Sequence, residues 1–327
     1  NDVFSGRGTS EVLVHPTDAN TIFVSTTSGI AGIGASMTGF TLPARGVYRS
    51  TNAGSASPTF TQLPLGISER SVTDIVMEPG DPNRIYAGVL GDSATGGGGV
   101  HYTANALDAT PSFSQLLATT LTGSQSRVEL AANKVGATTT VIAASGEGTG
   151  QVFRFVNAAT FTLLVDNNFC NPQCFYDIAV AMDPTDANRV YLGGSPTLVF
   201  GRSTNGGTSF ANSSSGVHVD TQAISVAPSN PDIAYLGTDG GIWRTVNLRN
   251  TGAVTWTSRN NTTYFATQFM GITTHPIDRN YSLGGTQDNG TQFLEPNGST
   301  WVNSDGGDGG FAVIDRAATS TMALNTY

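Results

Sequence analysis

One sequence pattern, repeated along the chain, constrains this protein more than any other feature. Its clearest copy runs from Tyr176 to Phe210 and reads as four short strands separated by turns. The first strand, Asp177 to Met182, is a nearly continuous apolar run, as expected of a strand that is buried on both faces. An Asp-Pro turn, two more strands and an Asn-Gly turn lead to an aromatic residue in a fourth strand. Because one such module cannot bury both of its faces alone, neighbouring copies must pack face to face.

The turns and strand ends of this module return throughout the chain. The turn between the first two strands returns at His15-Pro16-Thr17-Asp18, Glu78-Pro79-Gly80-Asp81, Ala227-Pro228-Ser229-Asn230 and His275-Pro276-Ile277-Asp278. Third strands stop at an asparagine, namely Asn52, Asn105, Asn157, Asn205 and Asn247, and fourth strands carry Phe60, Phe113, Phe161, Phe210, Trp256 or Trp301. We expect the asparagines, and the turn residues His15, His275, Asp18, Asp81, Asp186 and Asp278, to bond nearby backbone groups and to form no active site.

The repeat predicts an all-β fold, a β-propeller of four-stranded antiparallel blades. We expect six complete blades plus the first two strands of a seventh, in a single domain over residues 1–327, with the first strand of each blade innermost. The blades are predicted to start near residues 11, 72, 127, 177, 222, 269 and 311. The seventh copy has only Phe311 to Ile314 and Met322 to Tyr327, and the segment Asn1 to Ser10 is long enough to add one outer strand but not two. An unfinished blade exposes a strand edge, so we expect the sequence to be a fragment of a longer polypeptide or another chain to supply the missing strands.

The third-to-fourth-strand turn carries a family resemblance. The segment Ser203-Thr204-Asn205-Gly206-Gly207-Thr208-Ser209-Phe210 resembles the Asp-box (BNR) repeat, with Asn in the place of Asp, and Ser50-Thr51-Asn52-Ala53-Gly54 is a partial copy. At the level of the repeat, the chain is similar to large secreted bacterial glycosyl-hydrolase-like and sortilin-like proteins. The resemblance implies the propeller fold. It implies no single function, because the Asp-box occurs in sialidases, xyloglucanase-like glycosidases, sortilin-type receptors and photosystem assembly factors.

Composition restricts the partners and the compartment. Charged residues make up 12% of the chain, Lys134 is the only lysine, and the formal net charge is −9. A nucleic-acid partner is therefore excluded, because it would require a basic face. No apolar run reaches the length of a membrane span. We expect an extracellular protein, either secreted or at the cell surface.

The two cysteines, Cys170 and Cys174, lie in a short polar connection. Metal binding would need further thiols or nearby histidines, and redox chemistry would favour a Cys-x-x-Cys spacing. We therefore predict a disulfide bond between them, which agrees with an oxidising compartment.

Candidate site residues lie in loops that enter a first strand or join the second strand to the third, since these loops share one rim of a propeller. The predicted ligand-binding residues are His218, Asp220, Asp239, Gln287, Asp288, Asp305 and Asp308. Either each Asp only initiates a tight turn in which Gly supplies positive φ, or the acidic residues converge on a ligand. If Asp220, Asp239, Asp288 and Asp308 converge, their carboxylates suit a cation or a polyol. Ca²⁺ is the ion that such oxygen ligands favour. We expect that the protein requires no cofactor. Tyr264, Phe265, Phe269 and Trp243 are either a sugar platform beside these loops or core.

Two functions remain open. The first is a non-catalytic recognition or assembly module for a glycan or an extracellular protein. Further copies of this chain, or the remainder of its own polypeptide, are among the possible protein partners. The second is a glycoside hydrolase that uses two of Asp220, Asp288 and Asp308. The chain lacks the Arg-Ile-Pro segment of sialidases, a nucleophile elbow and a His-Glu-x-x-His motif. The absence of these diagnostic motifs favours the non-catalytic module.

Overall fold

The computed structural model describes residues 3–29, 42–157, 160–260, 267–315 and 323–325. These residues form six four-stranded antiparallel sheets and one two-stranded sheet, which we number 1 to 7 in chain order. Sheet 1 contains β1 (Gly8–His15), β2 (Asp18–Thr27), β3 (Val47–Ser50) and β4 (Thr61–Leu63); sheet 2 contains β5 (Val72–Glu78), β6 (Asp81–Val89), β7 (Gly99–Thr103) and β8 (Ser114–Ala118); sheet 3 contains β9 (Val128–Val135), β10 (Thr138–Ser145), β11 (Gln151–Val156) and β12 (Thr162–Asp166).

The later sheets repeat the same arrangement. Sheet 4 contains β13 (Ala179–Asp183), β14 (Asp186–Gly193), β15 (Gly201–Ser203) and β16 (Ala211–Asn212); sheet 5 contains β17 (Thr221–Val226), β18 (Ala234–Thr238), β19 (Gly241–Thr245) and β20 (Thr257–Ser258); sheet 6 contains β21 (Phe269–Thr274), β22 (Ser282–Thr286), β23 (Gly290–Leu294) and β24 (Trp301–Asp305); sheet 7 contains β25 (Ala312–Ile314) and β26 (Ala323–Asn325). The strand order within each sheet follows the chain. The predicted fold class and the number of copies are therefore confirmed, and the predicted starts differ from the observed ones by at most three residues.

The chain divides into two compact units. The first consists of Asn1–Leu236 and Arg244–Trp256, and the second of Gly237–Trp243 and Thr257–Tyr327. In the first unit, β1 lies beside β5, β5 beside β9, β9 beside β13 and β13 beside β17; in the second, β25 lies beside β21 and β22. Within each unit, successive copies thus meet at their first strands, as expected of inner strands. That the whole chain forms one domain stays a prediction.

Apolar faces of successive sheets make the core of the first unit. Phe23, Val47, Ile75 and Ile85 pack between sheets 1 and 2, and Tyr86, Val100, Val141 and Phe155 pack between sheets 2 and 3. Phe169, Ile178 and Leu192 belong to the cluster between sheets 3 and 4. In the second unit, Leu283 packs with Ala312 and Ile314. Sheets 1 to 4 in the first unit, and sheets 6 and 7 in the second, therefore bury apolar faces against their neighbours in sequence.

The burial on both faces that the apolar run Asp177 to Met182 suggests does not extend to the first strands of every copy. Val12 and Val14 of β1 are 46% and 57% exposed, and Ile272 of β21 is 57% exposed. One face of each of these strands packs in the molecule while the other is open, and a continuous apolar run does not distinguish the two cases. The predicted first strand of the fourth copy is also displaced, because β13 begins at Ala179, after Asp177 and Ile178.

The turn residues have the backbone roles that the repeat predicts. Ser203 Oγ donates to Asn205 Oδ1 at 2.8 Å, and Ser209 N donates to the same oxygen at 3.1 Å. The same pair of bonds recurs at Asn52, Asn105 and Asn247. The turn aspartates accept bonds from the amide two residues later at Asp18, Asp81, Asp186 and Asp278. The acceptor is always one side-chain oxygen, which explains how Asn replaces Asp in these turns.

The predicted disulfide between Cys170 and Cys174 is present, and both residues are buried. At the beginning of the chain, the ring of Phe4 packs edge-on against Tyr48 and Phe60 of the first copy. Among the residues described, no helix has the length and apolar character that a membrane crossing requires.

Candidate functional site

Three of the predicted site residues form one hydrogen-bonded group in the second unit. Gln287 Nε2 donates to Asp288 Oδ1 at 3.1 Å and to Asp308 Oδ1 at 2.8 Å. The amide of Asp288 also donates to Asp308 Oδ1, at 3.1 Å. Asp288 has φ 60°, a conformation that places its amide toward the neighbouring loop, and Gly290 N bonds Gly307 O at 2.7 Å. The loop after β22 and the loop after β24 are thus joined through Gln287.

A fourth predicted residue, Asp239 in the loop between β18 and β19, approaches this group. One of its carboxylate oxygens lies within 4.8 Å of one of Asp288. Asp288 Oδ2 is buried and accepts no hydrogen bond from the described residues. Close carboxylates repel each other unless a proton or a cation offsets the repulsion, and Ca²⁺ takes six to eight oxygen ligands at about 2.3–2.6 Å. Of the predicted cation ligands in the second unit, Asp239 and Asp288 have carboxylate oxygens this close to each other, and Asp308 is joined to Asp288 by hydrogen bonds.

The remaining predicted residues lie elsewhere. Asp305 is exposed at the end of β24, and its Oδ1 accepts the amide of Gly306 at 2.9 Å, as expected of a turn. His218 and Asp220 belong to the first unit; His218 Nδ1 lies 3.2 Å from Val219 O, and Asp220 has φ 63°. Their convergence with Asp288 and Asp308 stays a prediction.

The predicted aromatic platform finds little support. Trp243 is only 6% exposed, so it belongs to the core. Phe269 is 41% exposed, but its ring packs on that of Trp301 at 5.7 Å between centroids. Tyr264 and Phe265 lie outside the described residues.

One cavity of the first unit was not predicted from the sequence. It has a volume of about 520 Å³ and is formed by loops of sheets 1, 2 and 3. The loops that follow β2 and β6 and the loops that enter β5 and β9 line it with Thr27, Ser28, Gly29, Arg45, Arg70, Ser71, Leu90, Gly91, Asp92, Ser93, Thr122, Gly123 and Ser124. We call it the first-unit cavity. Its loops are of the type from which the sequence predicts a site, but in the first copies and not in the last ones.

Two arginines organise the polar wall of the first-unit cavity. Arg45 Nη1 donates to Ser28 Oγ at 3.0 Å and to Ser71 Oγ at 3.3 Å, while its Nε donates to Glu69 at 2.6 Å. Arg70 is 7% exposed and donates from Nη1 to Ser68 Oγ and to Glu69 O, both at 2.8 Å. Among the described residues, the lining contains hydroxyls and guanidinium groups but no aromatic ring.

The one carboxylate among the described lining residues, Asp92, is engaged in its own loop. Asp92 Oδ1 accepts the amides of Ala94 at 3.0 Å and Thr95 at 3.1 Å. The backbone hydrogen bond from Ala94, together with that from the Thr95 hydroxyl, lowers the pKa of Asp92 below its ordinary value. Asp92 is therefore a carboxylate acceptor that shapes the loop.

The floor of the cavity depends on a close approach of two loops. Gly123 N donates to Gly91 O at 2.9 Å, and Gly91 N donates to Ser126 Oγ at 2.8 Å. A Cβ atom at Gly91 would lie 2.3 Å from Leu121 O, so this contact needs glycine. Small polar residues in successive copies, such as Ser28, Ser71 and Ser93, were the sequence signal for this wall. The signal is weak, because serine is common in any loop.

Three acidic residues on neighbouring first strands were also missed. They are Glu11 on β1, Asp74 on β5 and Glu129 on β9. Burial raises the pKa of Asp74 well above its ordinary value, and the nearby charge of Glu129 adds to the effect; Leu130 N donates to Asp74 at 2.7 Å. Burial also raises the pKa of Glu129 to about 7, although Arg127 donates to its carboxylate at 2.8 Å and opposes the shift. Carboxyl groups within otherwise apolar strands were the signal that could have revealed them.

Comparison with known proteins shows similarity at the level of the fold. No protein-family model matches the sequence, and no curated protein matches it. Among solved structures, a GH74 xyloglucanase from Xanthomonas campestris aligns with a TM-score of 0.62 at 14% identity, over 98% of this chain and 50% of the enzyme. An ancestral GH74 enzyme aligns with a TM-score of 0.56 at 13% identity, over 91% of this chain and 43% of the other. The extracellular domain of a hybrid two-component system from B. thetaiotaomicron aligns with a TM-score of 0.50 at 13% identity, over 96% and 38%.

The chain thus spans half the length of the xyloglucanase and less than half the length of the other two proteins. The structural alignments show a common fold, and sequence identities this low leave the activity undetermined. Together with the sheet order, they identify the chain as a β-propeller of six complete four-stranded blades and the first two strands of a seventh.

Proposed function

We propose that this chain is a secreted or cell-surface recognition module that binds a glycan in the first-unit cavity and does not cleave it. The observation that carries the proposal is the lining of that cavity. Hydroxyl groups of Ser28, Ser71 and Ser93 stand beside the guanidinium groups of Arg45 and Arg70. Such groups complement sugar hydroxyls and carboxylates, and a volume of about 520 Å³ lies within the usual range of ligand pockets.

The same lining argues against cleavage. An ordinary glycosidase needs two carboxyl groups that flank the scissile bond, one of them able to donate a proton. The described lining has one, Asp92, and hydrogen bonds lower its pKa. The buried Cys170–Cys174 disulfide supports the secreted or cell-surface location, because disulfides persist in oxidising compartments.

A glycan array followed by calorimetric titration of the strongest ligand tests this proposal. Ser93 is exposed on the wall of the cavity, so Ser93→Trp should fill the cavity without disturbing the core. Ser55→Trp, in an exposed turn that does not line the cavity, is the matched control. We expect Ser93→Trp to abolish binding and Ser55→Trp to preserve it. The proposal fails if no glycan binds or if Ser93→Trp binds as the parent protein does.

One observation favours a second function, glycoside hydrolysis. Asp288 and Asp308 both accept a hydrogen bond from the side-chain nitrogen Nε2 of Gln287, so two carboxylates lie close to one side chain. The likeness in fold to a xyloglucanase makes xyloglucan the first polymer to test. Release of reducing sugar that is lost in Asp288→Asn and Asp308→Asn, and kept in Asp305→Asn, would establish a hydrolase and overturn the non-catalytic proposal.

Calcium binding by Asp239, Asp288 and Asp308 is a separate prediction. Calorimetric titration with CaCl₂ should show one saturable site that disappears in Asp288→Asn. The same change should leave glycan binding in the first-unit cavity intact, because none of these residues lines that cavity.

A further inference from the structure

Two sites in the first unit carry similar local sequences. Glu78-Pro79-Gly80-Asp81-Pro82-Asn83-Arg84-Ile85-Tyr86 in the second copy matches Asp183-Pro184-Thr185-Asp186-Ala187-Asn188-Arg189-Val190-Tyr191 in the fourth. In both, the first acidic residue is buried, and the arginine pairs with the second acidic residue three positions earlier. We call the contact of the first segment with sheet 3 the 2–3 seam, and that of the second segment with sheet 5 the 4–5 seam.

The 4–5 seam is closed by two arginines. Arg249 donates from Nε to Asp183 Oδ2 at 2.6 Å and from Nη2 to Asp183 Oδ1, so both carboxylate oxygens are engaged. Arg202 on β15 donates to the carbonyl oxygens of Leu248 at 3.0 Å and Asn250 at 2.6 Å. The loop that follows β19 is thereby held against sheet 4.

Neither arginine has a counterpart in the 2–3 seam. Tyr191 pairs with Arg202 across sheet 4, whereas Tyr86 pairs with Tyr102 at the same register of sheet 2. Arg249 stands two residues after Asn247, and the residue two positions after Asn157 is alanine. The segment from Asn157 to the next aromatic is also five residues shorter than the one from Asn247.

A cavity of about 260 Å³ occupies the 2–3 seam. It is lined by Glu78, Asp81, Arg84, Tyr86, Lys134, Ala137, Thr139 and Asn157. Glu78 is 3% exposed; Lys134 Nζ donates to its Oε1 at 2.9 Å, while its Oε2 is buried and accepts no hydrogen bond from the described residues. Arg84 Nη1 stands 3.6 Å from that oxygen, beyond hydrogen-bond distance.

Charge balance determines the chemistry of a suitable occupant. Glu78 and Asp81 face Arg84 and Lys134, as Asp183 and Asp186 face Arg189 and Arg249. In each set the two carboxylates are balanced by two cations. What the 2–3 seam lacks is a donor to Glu78 Oε2 and a side chain that fills the cavity, not positive charge. A buried carboxylate oxygen without a donor is unfavourable, so a ligand that supplies a neutral hydroxyl group is favoured.

We infer that the 2–3 seam binds a neutral, hydroxyl-rich ligand of the size of one sugar ring. A volume of about 260 Å³ corresponds to roughly nine water molecules at ~30 Å³ each, which suits a single ring and not a chain of them. Glu78 Oε2 would accept from one hydroxyl, and Lys134 and Arg84 could donate to ring or hydroxyl oxygens. This site shares no lining residue with the first-unit cavity.

Calorimetric titration and saturation-transfer NMR with methyl α-glucoside, methyl α-galactoside and methyl α-mannoside test the inference. We expect saturable binding of at least one of them in the millimolar range. Ala137 is exposed in the turn after β9, and Ala137→Trp should fill the cavity and weaken binding by about ten-fold or more. Thr17→Trp changes an exposed turn of the first copy and is the matched control.

A second variant, Lys134→Met, removes a donor without adding bulk and should also weaken binding. Ser93→Trp should leave it unchanged, which separates this inference from the proposed glycan site. The inference is overturned if the parent protein binds none of the three glycosides, which would mean that only solvent fills the seam. It is also overturned if Ala137→Trp binds as tightly as Thr17→Trp.

Discussion

The 2–3 seam and the 4–5 seam begin from the same turn sequence and differ in what the next sheet contributes. Asp183 receives both Nε and Nη2 of Arg249, whereas Glu78 receives one bond from Lys134 and borders a cavity. Burial would raise the pKa of Asp183, yet the hydrogen bonds of Arg249 and Thr185 hold it below its ordinary value. The comparison teaches that a repeated motif sets the position of a buried carboxylate, while the neighbouring copy decides whether both of its oxygens receive hydrogen bonds.

The two pairs of sheets that form these seams also differ in the acidic groups near their first strands. Between sheets 4 and 5, Gln222 Nε2 on β17 donates to Asp177 Oδ1, just before β13, at 2.9 Å. Between sheets 2 and 3, Asp74 on β5 and Glu129 on β9 stand close enough for the charge of Glu129 to raise the pKa of Asp74. The first pair has one carboxyl group and a neutral amide, whereas the second has two carboxyl groups that disfavour each other's ionisation.

The largest expected effect comes from removing the arginine that closes the 4–5 seam. Arg249→Met leaves Asp183, which is fully buried, without its cation and should lower the free energy of unfolding by about 3 kcal/mol. This is the low end for a broken buried pair, because the Arg249 side chain is 29% exposed. Lys134→Met in the 2–3 seam should cost about 1 kcal/mol, since Arg84 and solvent in the cavity remain near Glu78. Equal losses in denaturant unfolding would remove the distinction between the seams.

A pH-dependent difference is the next largest. The pKa of Glu129 in the folded protein is about 7, above its ordinary value of 4.5, so the folded state binds the additional proton. The free energy of unfolding should therefore fall as pH rises from 4.5 to 7, by on the order of 3 kcal/mol relative to Glu129→Gln. Denaturant unfolding at several pH values measures this difference. Gln222→Glu, which places a second carboxyl group beside Asp177, should introduce a similar pH dependence of stability between sheets 4 and 5. Parallel plots of unfolding free energy against pH for the parent protein and Glu129→Gln would contradict the prediction.

Replacing Arg202, on the third strand of sheet 4, should have a smaller effect on stability. Arg202→Tyr replaces the residue of the 4–5 seam with its register equivalent from the 2–3 seam and removes the bonds to Leu248 and Asn250. We expect a loss of about 2 kcal/mol in unfolding free energy, as is usual for hydrogen bonds from a charged donor. Hydrogen exchange of the Leu248–Gly252 amides should also become faster. Unchanged exchange would show that Arg202 does not hold this loop.

The smallest effect concerns the asparagine that ends each third strand. Asn247 Oδ1 accepts from the Thr245 hydroxyl at 2.8 Å and from Thr255 N at 3.0 Å, so the side chain acts mainly as an acceptor. Asn247→Asp keeps these bonds and should change the free energy of unfolding by less than about 0.5 kcal/mol, whereas Asn247→Ala should cost about 1 kcal/mol. Equal costs for Asp and Ala would indicate that the oxygen is not the important group.

Much of the fold was predictable because it depends on contacts between residues close in sequence. The turns capped by Asp186 and Asn205, and the Cys170–Cys174 bond, each join residues only a few positions apart. The group of Gln287, Asp288 and Asp308 was within reach for a related reason, since two adjacent loops of one copy carry it. The exposed face of β1 was not predictable, because apolar residues occupy both of its faces.

The first-unit cavity and the acidic first strands required the packed structure. Arg45 and Arg70 contribute to a cavity wall only because loops of three sheets approach one another, and nothing in their local sequence marks that wall. Glu11, Asp74 and Glu129 are separated by more than fifty residues from one to the next, and the raised pKa values of Asp74 and Glu129 arise from burial and from nearby carboxylate charges. The spacing of residues along the chain carries no information about which loops form a cavity wall or about how deeply a carboxyl group is buried.

The sequence by itself determined the number of copies, the order of strands within each sheet and the residues that close the turns, since hydrogen bonding within one copy is local. Only the tertiary structure decided which buried carboxylate has both oxygens hydrogen-bonded and which has one oxygen without a donor. Arg249 reaches Asp183 across 66 residues and Lys134 reaches Glu78 across 56, so each pairing depends on how two sheets pack. A guanidinium on a longer loop spans the 4–5 seam with several donors, while a single ammonium group leaves one oxygen of Glu78 and a cavity in the 2–3 seam.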